Sequence, residues 1–334
     1  MSDQFIGVDV GGTKIATATL EAGVLSDSKL VHTEQRSQEA LVEQLVDAIE
    51  SARGPGARAV GIGVPSVVEF STGRIRASVN IPLRDVPLRA LLTDRLGLPV
   101  FVENDASCAA LAEAFEDGRL TSPHLVLFTL GTGVGGGWVL GGRLYRGATG
   151  AAAEVGHTII GLDLSEGGPD EPGDFPQPGS LETLASGRAL DRLAHAAAAS
   201  APDSFLGRRL AEKGEVDGND VVDGASAGDP ESRRCLETLG RRLGVGIANA
   251  INTFDPLEVV IGGGVSRAGE LLLGPAREAA FKHVVPGVGT ETTIRIARHG
   301  PRAGVLGAAL IAAQELADAE GRRLESTLTG ERAG

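Results

Sequence analysis

Residues 125–142 read Leu125-Val126-Leu127-Phe128-Thr129-Leu130-Gly131-Thr132-Gly133-Val134-Gly135-Gly136-Gly137-Trp138-Val139-Leu140-Gly141-Gly142. The run is uncharged and approaches the length of a membrane span, but its seven glycines make a membrane helix a poor reading. Leu125 to Leu130 is an apolar strand, and Gly131 to Gly136 matches G-x-G-x-x-G. A dinucleotide-binding turn of that pattern must open a helix. Here Gly137-Trp138-Val139-Leu140-Gly141-Gly142 follows, which is poor helix material and reads as a returning strand. The stretch is therefore strand, glycine turn, strand. An NAD-dependent oxidoreductase survives only if Gly137 to Leu144 is helical. Glycines at such a turn let backbone N–H groups come close to a phosphate.

The N-terminus repeats the arrangement. Phe5 to Val10 is a strand, Gly11-Gly12 turns it, and Ile15 to Leu20 returns. The two hairpins lie roughly 120 residues apart, a spacing that suits two related domains. Alone, Gly11-Gly12 is an ordinary hairpin turn. Asp9 fits that reading less well, because a carboxylate beside the turn repels phosphate unless a metal sits between them. A P-loop is excluded, since none of Lys14, Lys29, Lys213 and Lys282 follows a glycine.

Outward from these turns, strands alternate with helices, which indicates α/β architecture. Helices are expected over Ser37–Arg53, Arg89–Leu96, Ala106–Phe115, Ser186–Ala201, Glu231–Phe254 and Ala303–Leu316. Strands are expected over Ala59–Val64, Val100–Val102 and Leu257–Ile261, the last running into Gly262-Gly263-Gly264. Gly167 to Gly179 is a proline- and acid-rich loop, and the tail after Asp318 is polar. Glu103-Asn104-Asp105 sits at a strand-to-helix corner, where a carboxylate is held rigidly and ionisation is favoured by the helix N-terminus. Asp105 is either a plain helix cap or a base that receives a hydroxyl proton in phosphoryl transfer.

Composition narrows the partners. The 334 residues carry 31 Lys and Arg against 44 Asp and Glu, a formal charge of −13, which repels nucleic acid and anionic lipid. Aromatic residues are 3%, too few for a base-stacking platform. Cys108 and Cys235 cannot build a disulfide framework or a four-thiolate zinc site, which suits a reducing cytoplasm, and both read as inert core residues. No secretory leader is visible, so a cytoplasmic location with no membrane partner is expected. Arg295, Arg298, His299 and Arg302 form a small basic cluster that reads as a solvated face.

Five segments together resemble the ROK family of sugar kinases and repressors: Asp9-Val10-Gly11-Gly12-Thr13-Lys14, Glu103-Asn104-Asp105, Thr129 to Gly137, Glu154-Val155-Gly156-His157 and Val259 to Gly264. Order and spacing fit from about Phe5 to Leu316, and within the family the chain is most similar to bacterial ATP-dependent glucokinases. The resemblance implies the actin-like ATPase fold, two ribonuclease-H-like α/β domains around a central cleft. The expected domains are 1–119 with the first phosphate loop, 120–300 with the second, and 301–334 returning a helix to the first domain. By the resemblance, Asp9, Gly11, Gly12, Thr13 and Lys14 form the first phosphate loop, and Asp9 positions Mg²⁺ through water. Gly131, Thr132 and Gly133 form the second phosphate loop, and Gly262, Gly263 and Gly264 lie against the adenosine. The sugar falls to Asn80, Asn104, Asp105, Glu154, His157 and Glu182, with Asp105 as general base.

One departure is plain. Most ROK kinases follow the E-x-G-H segment with a C-x-C-G-x-x-G-C cluster that binds zinc with that histidine. This chain has no cysteine between Cys108 and Cys235, and Ser180 stands where the last one is expected. The loop carries Pro169, Pro172, Pro176 and Pro178 instead, and Asp170, Glu171 and Asp174 are poor substitutes for thiolates, so no structural zinc is expected. The expected activity is phosphorylation of glucose at the 6-hydroxyl by ATP and Mg²⁺ in a homodimer or homotetramer. Alternatives are a ROK kinase for N-acetylmannosamine, mannose, fructose or allose, and a catalytically silent sugar-binding protein. Polyphosphate remains open as donor. A DNA-binding repressor lacks room for its helix-turn-helix before Asp9.

Overall fold

Strand pairing in the first sheet brings three distant segments into one row. A computed structural model of the chain describes residues 2–78, 80–162 and 174–321. They form two compact units, one from Met1–Leu125, Gly137–Ala153 and the described part of His299–Gly334, the other from Val126–Gly136 and Glu154–Arg298. Pro169, Asp170, Glu171, Pro172 and the tail beyond Gly321 lie outside the described residues.

In the first unit β1 (Gln4–Val10) turns through Gly11 to Thr13 into antiparallel β2 (Lys14–Glu21), with Asp9 opposite Ala16. The short strands β3 (Val24–Leu25) and β4 (Lys29–His32) both pair with β2. Helix α1 (Gln38–Ala52) is capped by the Ser37 hydroxyl and buries Leu41, Leu45 and Ile49, the spacing that marks it in the sequence. β5 (Ala57–Val64) then lies parallel to β1.

An antiparallel insert, β6 (Ser66–Glu69), β7 (Arg74–Ser78) and β8 (Arg84–Val86), precedes α2 (Leu88–Leu96). β9 (Val100–Asn104) is parallel to β5, so Asp9, Gly63 and Glu103 fall in one row across β1, β5 and β9. α3 (Asp105–Glu113) leaves the end of β9 directly, and the hairpin β10 (Phe115–Glu116) and β11 (Arg119–Leu120) follows.

The C-terminal helix, Ala303–Ala319, covers this sheet at very short range. A methyl on Gly61 would lie 1.8 Å from the Ala308 carbonyl oxygen, and one on Gly7 2.1 Å from that of Val305. Only glycine permits that approach.

The second sheet contains β12 (Leu125–Leu130), β13 (Val134–Leu140) and β14 (Arg143–Leu144). Gly137 to Leu140 is therefore strand, and Arg143–Leu144 is strand again, which removes the dinucleotide-binding reading. Five helices follow: α4 (Leu181–Ala185), α5 (Gly187–Ser200), α6 (Phe205–Lys213), α7 (Gly218–Ser226) and α8 (Pro230–Phe254). α8 opens at the Asp229 cap with Pro230 at its start and ends where Asp255 turns left-handed at φ 44°.

β15 (Glu258–Gly262), α9 (Glu270–His283) and β16 (Thr293–Ile296) complete the unit, and the sheet order is β14-β13-β12-β15-β16. The insert β6–β8 and helices α6, α7 and α9 are not among the expected elements: α6 buries only Leu206 and Gly207, α7 contains Gly218 and Gly224, and Gly274-Pro275 interrupts the pattern of α9. Among the described residues no helix is long and apolar enough to cross a membrane.

Candidate active site

Each unit carries a glycine turn of its own. In the first, the turn after β1 closes with the Gly11 N–H donating to the Lys14 carbonyl at 2.9 Å. Thr33 Oγ1 donates to the Gly11 carbonyl at 2.7 Å, and the Thr33 N–H donates to the Thr13 carbonyl. Gln35 Nε2 donates to the Gly12 carbonyl at 2.6 Å and to the Asn80 carbonyl at 3.2 Å. A methyl on Gly12 would stand 3.1 Å from the Asn80 Cβ, so turn and Asn80 are brought together. Thr13 and Lys14 are exposed at its tip.

Thr33 and Gln35 are absent from the residues singled out by sequence. Nothing local marks them. The pairing of Lys14 with His32 across β2 and β4 is what delivers them to the turn.

Asp9 lies beneath the same turn. Its carboxylate faces the first turn of the C-terminal helix, where a methyl on Gly304 would meet Oδ2 at 2.4 Å. Burial first, and the neighbouring charge of Asp105 second, push the Asp9 carboxyl up to about 6. The two carboxylates are near enough for their charges to interact. Magnesium sites use one or two carboxylates completed by substrate phosphates rather than an all-protein cage. Among the described residues no group of three His, Cys, Asp or Glu side chains could hold a metal ion. Asp9 fits the magnesium pattern.

The Glu103-Asn104-Asp105 corner divides its duties. Asn104, not Asp105, is the helix cap: its Oδ1 accepts from the N–H groups of Ala106 at 2.9 Å and Ser107 at 3.2 Å. Asp105 is the first residue of α3, and its Oδ1 accepts from the Ala106 N–H at 2.8 Å. The helix expected from Ala106 therefore begins one residue earlier and ends at Glu113. Asn104 Nδ2 donates to the Ser66 carbonyl at 3.4 Å.

In the second unit the turn Gly131–Gly133 is held from four sides. Glu182 Oε2 accepts the Val134 N–H at 2.8 Å, and a methyl on Gly133 would lie 2.3 Å from that oxygen. The Gly187 N–H, at the start of α5, donates to the Gly131 carbonyl at 2.8 Å. Gly263, at φ +82°, brings its backbone where a methyl would be 2.3 Å from the Leu130 carbonyl. A methyl on Gly156 would lie 2.2 Å from the Val134 carbonyl. The structure thus gathers Gly131, Thr132, Gly133, Glu182 and the Gly262–Gly264 cluster, with Gly156 from the E-x-G-H segment. Glu182, read in the sequence as a sugar ligand, spends one oxygen on the turn.

Glu154 and His157 are both exposed, with His157 Nε2 3.9 Å from Glu154 Oε2. The Phe175 ring meets the His157 ring edge-on at 5.4 Å between centroids. The base of the loop that lacks cysteines is laced by backbone. Ile160 and Gly161 donate to the Gly179 carbonyl, Leu181 donates to that of Thr158, and Ile159 bridges Ser180. The Ser180 hydroxyl caps α4.

The basic cluster is a solvated face only in part: Arg298 and Arg302 are exposed, Arg295 and His299 are half-buried, and each has a partner. Arg295 and Arg298 pair with Glu258, His299 lies 3.0 Å from the Phe115 carbonyl, and Arg302 donates to the Leu25 and Ser26 carbonyls. Cys108 and Cys235 are buried, and burial pushes both thiols up.

With this geometry in view, comparison with known proteins is informative. The model of the ROK family matches residues 5–315. The glucokinase of Halalkalibacterium halodurans is 36% identical over 324 residues, covering 94% of this chain and 97% of that protein. The structure of a ROK family glucokinase from Streptomyces griseus in complex with glucose and AMPPNP is 35% identical. It aligns with a TM-score of 0.73 over 93% of this chain and 99% of that one. The ROK hexokinase from Thermus thermophilus is 34% identical, with a TM-score of 0.74 over 94% and 99% of the two chains. The fold is the actin-like, ribonuclease-H-like ATPase fold of these sugar kinases. By a match that runs nearly end to end, the chain belongs to the ROK family.

Proposed function

We propose that the chain transfers the γ-phosphoryl group of ATP to the 6-hydroxyl of glucose, with Asp105 as general base. Family membership beside a glucokinase and a hexokinase makes the chain a hexose phosphotransferase. Glucose as the sugar, and the role of each residue, are the proposal. One observation carries it: Asp105 is the first residue of α3, directly after parallel strand β9, with Asn104 as the helix cap and with one Asp105 oxygen, Oδ1, accepting the Ala106 N–H. Ligands of open α/β sheets bind outside the carboxyl ends of such strands.

In the reaction the 6-hydroxyl oxygen attacks the γ-phosphorus, and its proton passes to the Asp105 carboxylate. The bond from the γ-phosphorus to the bridging oxygen breaks, and ADP leaves. The Gly11 and Gly131 N–H groups close their turns, and the backbone N–H groups of Gly12 and Thr13 and of Thr132 and Gly133 cradle the phosphates. Gly262–Gly264 offers a surface without side chains to the adenosine. Asn80, Asn104, Glu154, His157 and Glu182 bind and orient the sugar. Asp9 would hold Mg²⁺ through water, and the ion would offset charge on the phosphate oxygens.

The test is ADP formation from Mg-ATP with a panel of hexoses. Turnover with glucose and glucose-6-phosphate as product supports the proposal. Turnover confined to another hexose keeps the mechanism and replaces the sugar. No turnover with ATP or polyphosphate favours a silent sugar-binding protein.

A further inference from the structure

We propose that Arg146 is a positioning residue for the Asn104–Asp105 turn and acts through Glu103. The inference rests on the reading of Asp105 as the general base. Glu103, the penultimate residue of β9, is 1% exposed. Its two oxygens face different ways: Oε1 accepts the Asn104 N–H at 3.0 Å, and Oε2 accepts Arg146 Nε at 2.6 Å. Arg146 Nη2 donates to Glu315 Oε1, on the C-terminal helix, at 2.9 Å. The guanidinium stacks 3.5 Å from the centroid of the Phe70 ring. One planar cation thus joins two carboxylates and an aromatic face, a geometry that suits the rigid fork and flat face of a guanidinium better than a compact ammonium.

The chain of contacts has a consequence at the reacting group. Burial favours the neutral form of Glu103, and Arg146 opposes it. Without Arg146 the buried carboxylate loses its counter-charge, and it takes a proton or turns toward solvent. The Asn104 N–H then loses its charged acceptor. Asn104 caps α3, and Asp105 is the next residue, so the base shifts with the cap. A displacement of about 1 Å at a reacting group costs roughly 10²-fold in rate. A bridge that served stability alone would lower the melting temperature and leave kcat intact.

Glu103→Gln offers a discriminating partner. The amide oxygen still accepts the Asn104 N–H but needs no counter-cation. We would measure kcat and both KM values, with Mg-ATP and the hexose that the wild type uses. The proteins are wild type, Arg146→Met, Arg146→Lys and the double variant Arg146→Met with Glu103→Gln, each checked for folding by circular dichroism.

Arg146→Met should lose roughly 10²-fold in kcat with the KM for ATP moved less than about threefold, and Arg146→Lys should fall between. The double variant should recover about tenfold over Arg146→Met, a non-additive result. Unchanged kcat in folded Arg146→Met, or a double variant no better than Arg146→Met, overturns the proposal. If Arg146→Met does not fold, full wild-type kcat in Arg146→Lys overturns it. Wild-type silence with every hexose overturns the kinase reading itself, so the two failures are told apart.

Discussion

The two glycine turns share a pattern in sequence and differ in what holds them. The turn at Gly11–Thr13 is laced by side chains, Thr33 and Gln35, and rests on a raised carboxyl, Asp9. The turn at Gly131–Gly133 is held mainly by backbone that comes close because side chains are missing, at Gly156, Gly187 and Gly263, with Glu182 as its one carboxylate. The first turn is thus tuned by charge and the second by close packing. Substitutions near the first should act through pH and metal. Those near the second should act through sterics and stability.

Several outcomes would sharpen or break that contrast. The largest effect belongs to the base itself. Asp105→Ala should lower kcat by roughly 10²- to 10⁴-fold while calorimetry still detects sugar binding, and near-normal kcat would remove Asp105 from its role. Gly263→Ala should destabilise by roughly 2–4 kcal/mol in urea denaturation, since it adds a left-handed penalty to a backbone clash. Wild-type stability would show that the second turn yields easily.

Asp9→Asn should do the reverse to stability. The native Asp9 carboxyl binds its proton more tightly than the unfolded one, so wild-type stability falls as pH rises from about 4 through about 6. The loss reaches about 3 kcal/mol at neutral pH. Asp9→Asn lacks that loss and should be the more stable protein at pH 7, by up to that amount, while losing turnover. Equal pH dependence of melting in both proteins would remove the charge account of the first turn.

Smaller effects follow. Glu182→Ala leaves the buried Val134 N–H without its acceptor and should cost about 1–3 kcal/mol, with Glu182→Gln recovering most of it in the same melts. Gln35→Ala, which loses neutral hydrogen bonds at an exposed site, should cost about 1 kcal/mol or less and weaken ATP binding a few-fold, measured by titration. If Gln35→Ala proved worse than Glu182→Ala, the ranking of the two turns would invert.

Legibility followed the range of each interaction. Both turns, the β1–β2 hairpin, the Glu103-Asn104-Asp105 corner and the Gly262–Gly264 cluster are short local patterns, and each was readable. The insert β6–β8 was not, because β7 and β8 bury a single residue each, Ile75 and Val86, and four-residue β6 buries two, too few for a period-2 pattern. The basic run from Arg295 to Arg302 was legible only as a cluster, because closeness in sequence says nothing of the separate partners each side chain finds.

By itself the sequence determined the strand–glycine–strand turns, the carboxylate ahead of the first and the acid at the strand-to-helix corner. Hydrophobic period and turn chemistry act over a few residues and need no fold to be read. Only the tertiary structure decided that Asn104 rather than Asp105 caps α3, that Glu182 holds the second turn, and that Arg146 reaches Glu103 and Glu315 across 43 and 169 residues of chain. Those contacts depend on parallel register and on glycine-permitted approach of the C-terminal helix, which no local pattern encodes.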